Sequence, residues 1–158
     1  KKASEVFRDD LLIGAGTVLT VTEVDQAVEA GAKFIFSPNF SDKVVKRTLQ
    51  HKVISIPGAM TPSEIYQAHE AGADAVKLFP AKIVGASFIK DIKGPMPFVN
   101  IIPTGGIDKN NITDFLKAGS IAVGMGGSLL DKQMITEGNY KQLTQHVKEI
   151  MKIASNFQ

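Results

Sequence analysis

The chain has 158 residues, 44% of them hydrophobic and 22% charged, with a net charge of +2 and no cysteine. Such a chain can bury one ordinary core, and it excludes disulfides, thiolate chemistry and cysteine-ligated metals. Its lysines are scattered and form no basic stripe for nucleic acid, and no apolar run approaches the length of a membrane span.

Lys1 to Arg8 reads as the tail of a helix. Six brief apolar runs follow: Leu12 to Thr17, Phe34 to Pro38, Val53 to Gly58, Ala75 to Pro80, Ile101 to Gly106, and Ala122 to Ser128. Each closes on Gly, Pro, Ser or Thr, the pattern of a strand buried on both faces that ends in a permissive turn. Amphipathic stretches alternate with them and carry start signals. Thr20 with Glu23, and Thr61-Pro62-Ser63-Glu64, are capping boxes; Ser41 and Asp108 are candidate N-caps. Glu29-Ala30-Gly31-Ala32, Glu70-Ala71-Gly72-Ala73 and Lys117-Ala118-Gly119-Ser120 form an internal echo, each placing a glycine where a helix ends in the left-handed conformation.

Repeated βα units with short connections predict a parallel sheet, either doubly wound or closed. Gly14-Ala15-Gly16 is followed by Thr-Val-Leu-Thr, with no third glycine of a dinucleotide fingerprint, so the expectation is a barrel forming a single domain over residues 1–158. His51, His69 and His146 stand far apart, before a strand or within helices. They predict solvated positions and no metal cluster.

Lys77 lies inside the run Ala75-Val76-Lys77-Leu78-Phe79-Pro80. Desolvation there disfavours ammonium, and the neutral amine it favours is a nucleophile toward carbonyl carbon. The competing reading is a lysine snorkelling at a strand edge. In a parallel barrel Thr17, Ser37, Gly58, Lys77, Thr104 and the turn Gly126-Gly127-Ser128 would line one mouth. Thr104-Gly105-Gly106 and Gly126-Gly127-Ser128 let backbone N–H groups approach an anion, with a short helix expected near Ser128 to add its positive end. Taken singly, each glycine pair is also a plain tight turn. Lys82 is either a source of positive charge near the amine or a solvated loop lysine.

Gly14-Ala15-Gly16-Thr17-Val18, Ser37-Pro38, Ile56-Pro57-Gly58, Val76-Lys77-Leu78-Phe79-Pro80-Ala81, Pro103-Thr104-Gly105-Gly106-Ile107 and Gly126-Gly127-Ser128 together resemble the 2-keto-3-deoxy-6-phosphogluconate (KDPG) and 4-hydroxy-2-oxoglutarate (KHG) aldolase family, which includes a phosphogalactonate counterpart. The resemblance implies a (β/α)8 TIM barrel and a metal-free, cofactor-free class I aldolase, usually a cytoplasmic homotrimer. It implies that Lys77 forms the Schiff base, Thr17 helps hold the pyruvyl carboxylate and Thr104 lies beside the aldehyde carbon and influences stereochemistry. Gly105, Gly106 and Ser128 would bind the phosphate of a phosphorylated 2-keto acid.

One feature of the family pattern is missing. Cleavage needs a base, yet Glu23 and Glu64 read as capping residues and Asp108 as an N-cap. Six strand–helix units correspond to strands three to eight of the barrel. The expectation is therefore that roughly 50 residues, two βα units, lie upstream of Lys1 and hold the family's glutamate base and carboxylate-binding arginine. Two other readings stay open: a phosphate-binding isomerase, decarboxylase or synthase barrel, and a catalytically silent piece that binds phospho-ligands.

Overall fold

The computed structural model describes residues 1–7 and 10–157; Arg8, the expected end of the first helix, lies outside the described residues. Strands and helices alternate, and the contacts gather into two compact units, Lys1–Phe79 and Pro80–Gln158.

The first unit holds α1 (Lys2–Phe7), β1 (Ala15–Gly16), α2 (Val21–Glu29), β2 (Phe34–Phe36), α3 (Asp42–Gln50), β3 (Ile54–Ile56), β4 (Gly58–Ala59), α4 (Pro62–Glu70) and β5 (Val76–Leu78). Its strands pair in parallel, β1 with β2, β2 with β3, and β4 with β5, in the register Gly58 opposite Lys77. Pro57 separates β3 from β4. It has no N–H to give a ladder, but its carbonyl accepts the Lys77 N–H at 2.8 Å. The chain can turn there because Gly58 lies against the Pro38 backbone, where a Cβ would collide. Val18, Val24, Ala32, Ile35 and Val44 form a buried cluster beneath α2 and α3, and all of β5 is buried, Lys77 included.

The second unit holds α5 (Ala81–Lys93), β6 (Ile101–Pro103), α6 (Ile112–Lys117), α7 (Lys132–Thr136) and α8 (Tyr140–Ser155). Ile89, Ile92, Val99, Ile101, Ile107, Ile112 and Phe115 are buried. Helix α8 packs against α6 and α7, with Ile150 its one buried residue.

Both predicted capping boxes are complete, with Thr20 and Glu23 exchanging bonds at the start of α2 and Thr61 and Glu64 at the start of α4. The three echo glycines, Gly31, Gly72 and Gly119, are left-handed at φ 94°, 90° and 99°. Helix α3 ends differently: Lys52 takes the left-handed position at φ 56°.

Several expectations are corrected. Asp108 is not the N-cap of α6; Asn111 holds that position, while the Asp108 carboxylate accepts the Asn110 N–H in a local turn. Ser41 is at the N-cap of α3 but forms no side-chain cap bond. The sixth apolar run makes only one parallel bridge, Thr104 with Gly124, because its glycines offer no side chains to pack on a sheet. No helix begins near Ser128. A turn closes on the Gly126 carbonyl, and α7 starts later, capped by Asp131.

Two histidines are structural. His146 Nε2 lies 2.8 Å from the Ser128 carbonyl, and His51 Nε2 lies 2.6 Å from Asp25 Oδ1. Arg47 Nε also donates to that oxygen, at 2.7 Å, so Asp25 of α2 ties down the end of α3 twice. These bonds, with Arg47 first, hold the Asp25 carboxyl below its ordinary range. A depressed carboxylate contributes stability that is complete above the unfolded value, near 3.9, and lost as pH falls through the folded one. Asp25→Asn should therefore lower the denaturant midpoint at neutral pH and flatten its decline in acid. Parallel acid slopes for the two proteins would refute the clamp.

Candidate active site

Strand β5 places Lys77 in the middle of a fully buried segment, where the residue is 8% exposed. Its Nζ lies over two aromatic faces, 4.7 Å from the Phe36 ring centroid and 4.3 Å from that of Phe79. Burial pushes its pKa below the ordinary lysine value. The ring faces offer the ammonium partial compensation through their quadrupoles, but neither carries a charge to pair with it. The lysine is therefore an interior group with a raised fraction of neutral, nucleophilic amine, and not one snorkelling to water.

Thr17 follows β1 with φ 61°. A β-branched residue in the left-handed region is a true outlier, and such strain concentrates at working positions. Its side chain is exposed. Two other strand-end residues predicted to line a mouth have structural roles instead. The Ser37 hydroxyl is buried and donates to the Val18 carbonyl at 2.7 Å, and Gly58 makes the close approach to Pro38.

In the second unit, Thr104, Gly105, Gly106, Asp108, Gly126, Gly127 and Ser128 line one cavity of about 380 Å³. Structure thus brings together the four residues predicted to contact the phosphate or the aldehyde, whereas Lys77 and Thr17 belong to the first unit. The carbonyls of the Thr104–Gly106 turn are satisfied from behind. Ala81 N–H donates to Thr104 at 2.8 Å, Lys82 N–H to Gly105 at 3.0 Å, and Asn111 Nδ2 to Gly106 at 2.9 Å. That leaves the turn presenting a positive edge, because among the described residues the Gly106, Gly127 and Ser128 N–H groups reach no protein acceptor. The Ser128 hydroxyl donates its single proton to the Ile107 carbonyl, and the Ser128 carbonyl is held by His146. A carbonyl can only accept, so Nε2 of His146 carries the proton.

The comparisons with known proteins give this arrangement its setting. Residues 2–146 match the family model described as KDPG and KHG aldolase. The chain belongs to the KDPG/KHG aldolase family. The 2-dehydro-3-deoxy-phosphogluconate aldolase of Treponema pallidum is 37% identical over 145 residues, which cover 91% of this chain and 69% of that protein. The 2-dehydro-3-deoxy-6-phosphogalactonate aldolase of Escherichia coli is 32% identical, covering 91% of this chain and 71% of its own length. A KDPG aldolase from Legionella pneumophila, solved with pyruvate captured as a covalent carbinolamine, superposes with a TM-score of 0.84 at 30% identity, covering 96% of this chain and 72% of that one. The α/β fold with parallel strands is therefore the fold of these aldolases.

Sequence reasoning missed four groups around the family residues: Phe36 and Phe79 against the amine, and Asn111 and His146 behind the cavity. Phe36 was the accessible one, since the alternation in Phe34-Ile35-Phe36 puts both rings on one face of β2; Asn111 and His146 leave no local pattern.

Three variants test this geometry. Gly106 has φ 79°, and a Cβ there would lie 2.5 Å from the Lys82 Cβ. Gly106→Ala should cost about 1–3 kcal/mol in a denaturant titration, whereas Gly127→Ala, whose Cβ meets open space, should be near neutral. Thr17→Asn should stabilise the fold by up to about 1 kcal/mol, since Asn tolerates the left-handed region; a loss of stability would mean that the threonine is unstrained.

Proposed function

We propose that this chain acts as a class I aldolase, a lyase that cleaves 2-keto-3-deoxy-6-phosphogluconate to pyruvate and glyceraldehyde 3-phosphate through a Schiff base on Lys77. The observation that carries the reading is the state of that amine: buried, over two ring faces and pushed toward its neutral form. The carbinolamine captured in the Legionella relative supports it.

Neutral Nζ adds to the C2 keto carbon, and the carbinolamine loses water to give an iminium. A base removes the C4 hydroxyl proton, the C3–C4 electron pair flows to the iminium nitrogen, and the aldehyde leaves. The resulting enamine takes a proton at C3, and hydrolysis of the new iminium frees pyruvate and the amine. Thr17 holds the pyruvyl carboxylate and Thr104 steers the face of the aldehyde. Gly105, Gly106 and Ser128 bind the phosphate, supported by their shared cavity and by the Gly106 and Ser128 N–H groups, which reach no protein acceptor among the described residues. Because the Ser128 hydroxyl is engaged with Ile107, its contribution comes first from its N–H.

Glu23, Glu64 and Asp108 are not assigned the role of this base. Glu23 and Glu64 accept bonds within their own helix caps, and the Asp108 carboxylate accepts from Asn110. The same reading makes residues 1–158 six strand–helix units of one TIM-barrel domain, in a cytoplasmic homotrimer of the Entner–Doudoroff pathway that needs no metal or cofactor. It allows 4-hydroxy-2-oxoglutarate as a second substrate. The phosphogalactonate relative favours a second reading, specificity for the C4 epimer. Kinetics on the two epimers separates these, since they differ only in the orientation of one hydroxyl.

Borohydride reduction with pyruvate should add the mass of a reduced pyruvyl group at Lys77, and Lys77→Arg should abolish it. Label on another lysine would overturn the assignment. Ser128→Ala keeps the N–H but removes the hydroxyl bond to the Ile107 carbonyl that anchors it, so it should raise KM for the phosphorylated substrate and leave turnover of unphosphorylated 4-hydroxy-2-oxoglutarate near normal; equal damage to both would remove Ser128 from the phosphate site. Thr17→Val should weaken pyruvate trapping by the equivalent of about 1–3 kcal/mol.

A further inference from the structure

The role of Lys77 leaves unexplained why its amine lies over the face of Phe36, a residue from a strand of the other sheet. A lysine side chain has four rotatable bonds, and burial alone does not choose among the directions its amine can take. Two features do. Phe79 follows β5 and presents its ring 4.3 Å from Nζ, while Phe36 at the end of β2 presents its own at 4.7 Å. The Phe36 ring is itself buttressed by Phe34, edge to face at 6.5 Å and 80°. Strands β1 to β5 carry no titratable side chain except Lys77, so among these strands ring faces are what a cation at Nζ meets.

We propose that Phe36 is a positioning residue for the catalytic amine, its ring face fixing Nζ against Phe79 and retaining the lysine-borne cation among strands that carry no counter-ion. The inference rests on the Schiff-base reading of Lys77 for its functional meaning. It adds a specific demand, namely a π face at position 36 and not merely an apolar side chain. The iminium is a cation at the same nitrogen as the ammonium, so the same face serves the intermediate that draws the C3–C4 electron pair.

The demand separates attraction by the ring from exclusion of water. Phe36→Leu keeps an apolar group of similar reach, so the amine stays desolvated but loses the attraction; the ammonium is then less favoured and the Lys77 titration should move down. Phe36→Tyr keeps the face and should leave it nearly in place. The measurement is the pH dependence of Lys77 acetylation by trace acetic anhydride, read on its peptide by mass spectrometry, which needs no aldol chemistry. We expect a downward shift of about 0.5–1 pH unit in Phe36→Leu, with the pyruvate trapping rate falling several-fold in the same variant and not in Phe36→Tyr. An unmoved or upward-moving midpoint in Phe36→Leu, or an equal downward shift in both variants, overturns the proposal. Phe36→Met, unbranched and able to fill irregular space, repeats the test with the same expected direction if the leucine variant does not fold. Failure of pyruvate to label Lys77 in the unsubstituted protein would defeat the Schiff-base reading instead, and the acetylation profile would still decide whether Phe36 holds the amine.

Discussion

Everything chemical in the first unit depends on the cost of keeping a charge in an apolar interior. A lysine ammonium in water is solvated on all sides, whereas Lys77 is 8% exposed and its strand offers valine and leucine as neighbours. Among the described residues ring faces, and no ion pair, answer this cost. A carboxylate partner would fix the ammonium and remove its lone pair from chemistry; ring faces give a weaker, non-basic attraction that leaves the amine free to lose its proton. Fold and reactivity have the same origin here, since the parallel strand that buries the lysine also deprives it of solvent.

The second unit solves the opposite problem. Its glycine turns expose donors by directing carbonyls away. Bonds from Ala81, Lys82 and Asn111 take up the carbonyls of Thr104, Gly105 and Gly106, while the N–H groups of Gly106, Gly127 and Ser128 reach no acceptor among the described residues. No arginine or lysine side chain is among the residues lining the cavity, and Asp108 lies on its wall. A display of backbone dipoles of this kind is directional, and its geometry suits a tetrahedral oxyanion that meets several N–H groups at once.

Local chemistry made much of this legible in the sequence. The capping boxes at Thr20 and Thr61 and the left-handed Gly31, Gly72 and Gly119 follow from contacts within four or five residues, so short patterns suffice. Lys77 was visible because a charge in a run of Ala, Val and Leu conflicts with its surroundings. The misreadings between residues 108 and 128 have a common cause. Asp108, Asn111 and the turn after Gly126 all sit in stretches dense in Gly, Asn and Asp, where several residues compete for the same cap and only the assembled backbone decides. Ser37 and His146 look like ordinary polar residues in sequence; their bonds to Val18 and Ser128 span 19 and 18 positions, beyond the reach of any periodicity.

The bond from His146 to the Ser128 carbonyl has a consequence for how the protein is made. It joins the glycine turn to a helix that emerges from the ribosome later, so Gly126 to Ser128 enter solution before the group that fixes them. Residues 15–79, by contrast, already contain every ring and strand that surrounds Lys77 in the first unit. During synthesis the lysine site can form while the turn is still unanchored, and a nascent chain stalled before α8 would present a buried amine alongside an unorganised glycine loop. The order of translation therefore gives the lysine strand and the glycine turn different birth times, with the turn completed last.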